Sequence, residues 1–478
     1  MKATRRDVVK FISSMEADKR IGASTLLVNE AHVIALAKSG VIEKQAAHRL
    51  LRALRRIKPG TLSHRNIEDV HLYIEQYVTA RTGHDVGGLL HIGKSRNDQV
   101  ATAIRISLRN ELLNLSESIF ALEKSLLNLA KRHTGTVFPG YTHLQPAQPI
   151  SFAHYLIANT ESLIRDSVRI LETYQRVNKS PMGAGAIAGT SFRLNRKLTA
   201  RLLGFDGLVE ASLDAVGSRD FVLESLGVFA LIGSDLSRIA TDLIFYSSSD
   251  VGVITIPDEF ASTSSIMPQK KNPDPLELIR AKCGRVATNF NSAITIMHGL
   301  PSGYNLDYQE ITPLLWESID ELQACIQILT VLVPRIQVRE VENSVSFQFT
   351  AATEIANILV REERVPFRTA HRIVGALVRS ALRSGKSIDE LQEAEWQRYL
   401  GRPIGRSTIE LMTKATDLKQ HLLSYRTSGS PNPQESRKLI NTLLLKWSEL
   451  RRKTMQLRAK VERSERELQN GVITVFQE

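Results

Sequence analysis

Cysteine is nearly absent from this chain of 478 residues: only Cys283 and Cys325 occur. They lie far apart in sequence, with no CxxC spacing and no histidine nearby, which excludes a disulfide framework or a zinc site and fits a reducing cytoplasm. Long apolar runs are missing too. No stretch of about 18 apolar residues occurs, so a membrane span is not expected. The opening Met1-Lys2-Ala3-Thr4-Arg5-Arg6-Asp7 leads into an amphipathic segment without an apolar signal core, so export is not expected either. Aromatic residues make up only 6%. That scarcity, with no Arg/Gly-rich or zinc-finger pattern, weighs against the nucleic-acid partner that a formal charge of +12 would otherwise suggest. Much of the basic excess falls late, at Arg451-Arg452-Lys453 and from 458 to 466. There it is interleaved with Glu462, Glu465 and Glu467, the pattern of a solvated helix face.

What the chain has in quantity is helical periodicity. Its length allows roughly two to four domains and a large core. Residues 5 to about 80 read as short helices over 6–12, 28–38 and 43–57, broken at Gly40 and at Lys58-Pro59-Gly60. From 100 to 133 neither Gly nor Pro occurs, which gives about 50 Å of helix at 1.5 Å per residue. Ile104, Leu108, Leu112, Leu115, Ile119, Leu122 and Leu126 form one apolar stripe along it. Further helix-length segments follow at 150–177, 219–247, 276–297 and 313–333, and only 251–256 reads as strand. Amphipathic segments of this length cannot bury their stripes alone, and a bundle is the economical solution. The expected fold class is therefore all-α. A helical N-terminal domain (1–98) precedes a central bundle with a polar loop (99–345). A smaller helical C-terminal domain (346–478) follows, with a break at 400–405, a loop at 428–433 and a charged last helix from 435 to about 469.

Four polar stretches interrupt this pattern. The most pronounced is Ser264-Ser265-Ile266-Met267-Pro268-Gln269-Lys270-Lys271-Asn272-Pro273, with Pro275 two residues on. Its prolines forbid regular structure, so it should be a mobile loop, and a helix opens directly after it. A helix start preceded by Ser, Lys and Asn receives an anion readily. The second, His91 to Gln99, joins Ser95, Arg96 and Asn97 to Asp98 ahead of the long helix. Asp98 suits a cap, whereas a guanidinium beside an amide suits a carboxylate. The third, Gly140-Tyr141-Thr142-His143-Leu144-Gln145-Pro146, holds an imidazole at a fixed angle in a connection between two helices, as proton transfer requires. The fourth is Gly299 to Glu310, with Tyr304, Asn305 and Gln309. Each alone has a plainer reading, as a cap, a solvated histidine, a polar surface loop or an Asn/Gly turn.

Together they resemble, in order, the motifs of the argininosuccinate lyases and the related delta-crystallins, in the aspartase/fumarase superfamily. Ser-Ser-Ile-Met-Pro-x-Lys-x-Asn-Pro carries that likeness, as do Ser95-Arg96-Asn97-Asp98-Gln99-Val100, Gly140 to Gln145, and Tyr304-Asn305 with Gln309-Glu310. The likeness runs from about residue 10 to about residue 440. It implies a homotetramer of three-domain chains whose central bundles form the core, with each active site shared among subunits. The implied reaction is anti β-elimination of argininosuccinate, a dicarboxylate, to arginine and fumarate in arginine biosynthesis, without cofactor or metal. Carried over position by position, Ser264 is the base, with Lys270 and Asn272 holding the carbanion's charge. His143, paired with Glu277, serves the leaving nitrogen, and Ser95, Arg96, Asn97, Thr142, Tyr304 and Gln309 bind substrate with Asn29.

Some positions depart from that pattern. Asn29 stands where the family usually has a substrate-binding Ser, and Thr312 where it usually has a substrate-contacting Lys. Thr263, Ile92, Lys94 and Ala103 differ as well. The elimination machinery is intact and the recognition shell is altered, which leaves two other readings. One is a related lyase acting on another N-substituted succinate or aspartate. The other is a non-catalytic or nucleic-acid-associated protein on the same scaffold.

Overall fold

The computed structural model describes residues 5–58, 60, 67–339, 347, 349–388, 390–391, 393–401 and 403–477, with backbone alone for 472–477. Pro59, Arg402 and the expected boundary at 345/346 lie outside the described residues. Among those described, the chain is almost wholly helical. Helix α1 (Gly22–Lys38) is buried along most of its length. Helix α2 (Arg96–Arg132) opens on a capping box, in which the Ser95 hydroxyl accepts from the Asn97 amide and the Asp98 carboxylate from the Ser95 amide. All seven residues of its expected stripe are buried, each worth about 1.5–3 kcal/mol relative to exposure.

After α2 the chain forms a β-hairpin, β1 (Val137–Thr142) with β2 (Gln145–Ser151). The sequence reading missed it, because Pro139, Pro146 and Pro149 read as breaks. They are tolerated because the hairpin has only two strands, each with a free edge. Helix α3 (Phe152–Val177) follows, then α4 (Asp220–Ser247). The short strands β3 (Ser262–Thr263) and β4 (Lys271–Asn272) pair at the base of the expected loop. Helix α5 (Asp274–Met297) opens with Pro275 in its first turn, and α6 (Tyr308–Leu332) starts five residues before the expected 313. Pro313 therefore sits in its second turn, withholding the amide that would meet the Gln309 carbonyl. The expected strand at 251–256 shrinks to Ile254–Thr255, paired with Gln337–Val338. The last helix, α7 (Pro433–Gln477), is longer than expected.

Cross-links between helices fix their directions. Arg105 of α2 donates to the carbonyls of Arg176 and Val177, while Glu123 accepts from Ser167, so α2 and α3 run antiparallel. Arg176 pairs with Glu224, and Tyr155 stacks edge-on against Tyr246, so α3 and α4 do the same. Lys282 pairs with Glu321 and Asn289 bonds to Ser318, which sets α5 against α6. These helices share one large apolar core with α1, and α7 lays Ile440, Leu443, Leu450 and Leu468 onto it. A second core gathers residues from Ile355 to Ala415. No helix among the described residues is long and apolar enough to cross a membrane.

Candidate active site

The antiparallel bundle sorts the expected site residues onto two ends. At one end lie the starts of α2 and α6 and the 298–307 turn, with Arg96, Asn97, Tyr304 and Gln309. At the other lie the hairpin, the loop between β3 and β4 and the start of α5, with Thr142, His143, Ser264, Lys270, Asn272 and Glu277. Helix α5 alone has 24 residues, so the ends stand roughly 36 Å apart at 1.5 Å per residue.

The first end is a cleft of about 230 Å³ lined by Asp69, His71, Arg96, Asn97, Tyr304 and Gln309, with Arg219 and Thr312. Asp98, buried at the start of α2, accepts from the amides of Gly183 and Gly185, and the Asn97 side-chain amide donates to the Ala186 carbonyl. A glycine-rich loop is thereby fastened beside the cleft. Burial pushes the Asp98 carboxyl up to about 6 despite those amides. Arg96 is tied to Asp69 at 3.0 Å and lies 3.6 Å from Glu68. The Gln309 side chain donates to the Ile12 carbonyl, and the Thr312 hydroxyl turns back to the Tyr308 carbonyl. Asn29 does not line this cleft. It is buried in α1, its amide donating to the Thr25 carbonyl and its oxygen accepting from the buried ammonium of Lys94. That pairing joins two of the departures noted above.

Two lining residues were not singled out in the sequence. Arg219 is 2% exposed, donates to the carbonyls of Val216 and Ser218 and lies over the Tyr308 ring. Its Nε has no partner, and no carboxylate pairs with it among the described residues. Burial lowers its pKa to about 10, and a buried guanidinium so placed suits a substrate carboxylate. His71 is buried with both ring nitrogens unpartnered, and burial lowers its pKa to about 4, so the ring is neutral at pH 7. The signal for Arg219 lay in Ser218-Arg219-Asp220, polar residues packed at a helix start. His71 gave none beyond its nearness to Glu68-Asp69.

At the second end, His143 and Leu144 form the two-residue turn of the hairpin, with φ of 57° and 56°. Positive φ at both positions is the type I′ geometry, normally the province of Asn and Gly. Holding it with His and Leu stores backbone strain, as functional positions often do. The imidazole stands exposed at the tip, and Tyr141 packs edge-on against Phe245 to brace the strand beneath it. Gly140 is required there, since a Cβ would come within 2.7 Å of the Gln148 carbonyl oxygen.

The Ser264 hydroxyl oxygen accepts from the amides of Met267 at 3.0 Å and Ile266 at 3.3 Å. Its own amide donates to the Lys270 carbonyl, which folds the loop over β3 and β4. Lys270 and Glu277 are exposed, and within one chain His143 and Glu277 make no ion pair with each other.

Residues 6–288 match the family model described as "Lyase", and residues 349–424 match the one described as "Argininosuccinate lyase C-terminal". The argininosuccinate lyase of Methanocaldococcus jannaschii is 40% identical over 442 residues, 91% of this chain and 90% of that protein. The chain belongs to the argininosuccinate lyase family. The argininosuccinate lyase of Methanothrix thermoacetophila, 40% identical, covers 98% of the chain and 96% of its own length. Among solved structures, EDDS lyase in complex with formate superposes with a TM-score of 0.88 at 27% identity, covering the whole of this chain and 97% of that one. Membership in the argininosuccinate lyase family agrees with the all-α bundle and with the motifs that suggested it.

Proposed function

We propose that the chain is a carbon–nitrogen lyase that cleaves argininosuccinate to arginine and fumarate. The observation that carries this reading is the Ser264 hydroxyl oxygen, which receives two backbone amides on the loop that opens α5. Serine is a weak base because its alkoxide is unstable. Two amide donors, the nearby helix start and the cationic Lys270 lower the cost of that alkoxide. The alkoxide takes a proton from the carbon beside the succinyl carboxylate. The resulting carbanion spreads into that carboxylate, where Lys270 and Asn272 neutralise it. Its electron pair then forms the carbon–carbon double bond of fumarate as the carbon–nitrogen bond breaks. His143, with Glu277, supplies the proton that the departing guanidinium nitrogen of arginine collects.

Substrate carboxylates need cations as well as this base, and the other half of the expected site lies at the far end of the bundle. The two sets meet if copies of the chain associate side by side and antiparallel. We therefore propose a homotetramer, with sites shared among subunits and working in the cytoplasm. Residues 99–345 form its core, flanked by 1–98 and 346–478. In it, Asn97, Tyr304, Gln309 and Arg219 of one copy face Ser264 and His143 of others.

The test is release of fumarate from argininosuccinate, followed by its absorbance. Wild type is expected to produce fumarate, and Ser264→Ala to lose at least about a hundredfold in kcat, the scale of a missing general base. Silence from wild type, or full activity in the variant, rejects the proposal. Adenylosuccinate, aspartate and malate run beside it decide whether Asn29 and Thr312 have moved the specificity.

A further inference from the structure

The two cysteines, distant in sequence, come together in the fold. Cys283 on α5 and Cys325 on α6 are free and buried, and their side chains interact with each other. The antiparallel register produces this meeting. Lys282 pairs with Glu321, Arg285 with Glu317 and Glu321, and Asn289 with Ser318, so Cys283 lies beside the Lys282–Glu321 cross-link and Cys325 one turn beyond it on α6. On the other side of α5, Gly233 of α4 abuts Cys283, where an added Cβ would lie 3.5 Å from the cysteine's own. That close approach holds Cys283 toward α6.

We propose that Cys283 and Cys325 are an oxidisable dithiol, a modification site at which a peroxide closes a disulfide between α5 and α6. The elimination reaction uses neither thiol. The direction of attack follows from the surroundings. The contact with Cys283 lowers the Cys325 thiol against the opposing pull of burial and Glu321, while the same contact and burial push the Cys283 thiol up, so Cys325 is the thiol that ionises first. The Cys325 thiolate attacks one peroxide oxygen, forming a sulfenic acid and releasing water once the other oxygen is protonated. The Cys283 sulfur then attacks the sulfenic sulfur, and hydroxide leaves as a second water. Two thiols and one hydrogen peroxide thus give one disulfide and two waters. The bond would tie the helix that carries Glu277 in its first turn to the helix that carries Gln309 in its first turn.

The test treats the purified full-length protein with hydrogen peroxide, unfolds it in the presence of a maleimide and maps the digest. Expected are peptides containing Cys283 and Cys325 joined within one chain, two hydrogens lighter than their sum, and separated again by dithiothreitol. Both thiols should disappear together, and in Cys325→Ala the remaining Cys283 should stay maleimide-reactive after the same treatment. The proposal is overturned if both thiols stay maleimide-reactive, if they oxidise singly to sulfinic acids, or if the bridge joins two chains.

Discussion

Mixing two inactive variants should restore activity. Ser264→Ala disables the end of the bundle that carries the base, and Asn97→Ala disables the end that carries the cleft. By their proposed roles each alone removes a group the reaction needs: the base, at about a hundredfold or more in kcat, and a charge-assisted contact, at about 1.5–3 kcal/mol or ten- to a hundredfold. The ends stand roughly 36 Å apart in a 24-residue helix, so in the proposed assembly one site draws its base and its amide from different copies. Unfolding and refolding an equimolar mixture randomises the copies. A site is then intact when its Ser264 comes from the Asn97 variant and its Asn97 from the Ser264 variant, which is about one site in four in a symmetric assembly. Fumarate release should therefore recover to about a quarter of the wild-type rate, and mixing without unfolding should recover little. Recovery no greater than the mean of the two variants refutes the reasoning, because each site would then belong to a single chain.

Other perturbations test the surroundings. Glu123 is fully buried on α2, one carboxylate oxygen has no partner, and burial followed by nearby Asp166 raises its pKa from 4.5 to about 8. The folded state thus binds a proton that the unfolded state releases between those values, so this contribution is full below pH 4.5 and fades as pH rises toward 8. Glu123→Gln should flatten the urea midpoint between pH 5 and 8 and raise stability at pH 8 by a few kcal/mol; an unchanged slope contradicts this. Gly140→Ala forces its Cβ onto the Gln148 carbonyl, which should displace the His143 turn. A tenfold or greater loss of kcat with unchanged circular dichroism is expected, since displacements near 1 Å carry penalties of about a hundredfold. Thr312→Lys places a cation on the cleft wall and should lower KM for argininosuccinate roughly tenfold; an unmoved KM shows that position 312 does not meet substrate.

Much of this was legible in the sequence, for physical reasons. The stripe from Ile104 to Leu126 and the absence of Gly and Pro announced α2, and Pro275 marked the start of α5. The Thr142–Gln145 hairpin was hidden, because its strands are rich in proline and poor in β-branched residues. Its I′ turn also uses His and Leu where Asn-Gly would have signalled it. The placement of Asn29 was equally hidden. A side chain on a helix face can meet cleft or interior, and no spacing along the chain brings Asn29 to the buried Lys94. Arg219 gave a weak signal, since a lone arginine at a helix start looks like surface. The meeting of Cys283 and Cys325 depends on the register between α5 and α6, which no spacing along the chain encodes.

The proposed site requires the two ends of the bundle to meet across copies around one dicarboxylate. The most direct measurement is a structure of the assembled protein with fumarate bound. It should show the Ser264 oxygen of one copy near a fumarate carbon, with Asn97 and Arg219 of another copy at its carboxylates. Fumarate bound at the cleft with every copy of Ser264 tens of ångströms away would contradict it.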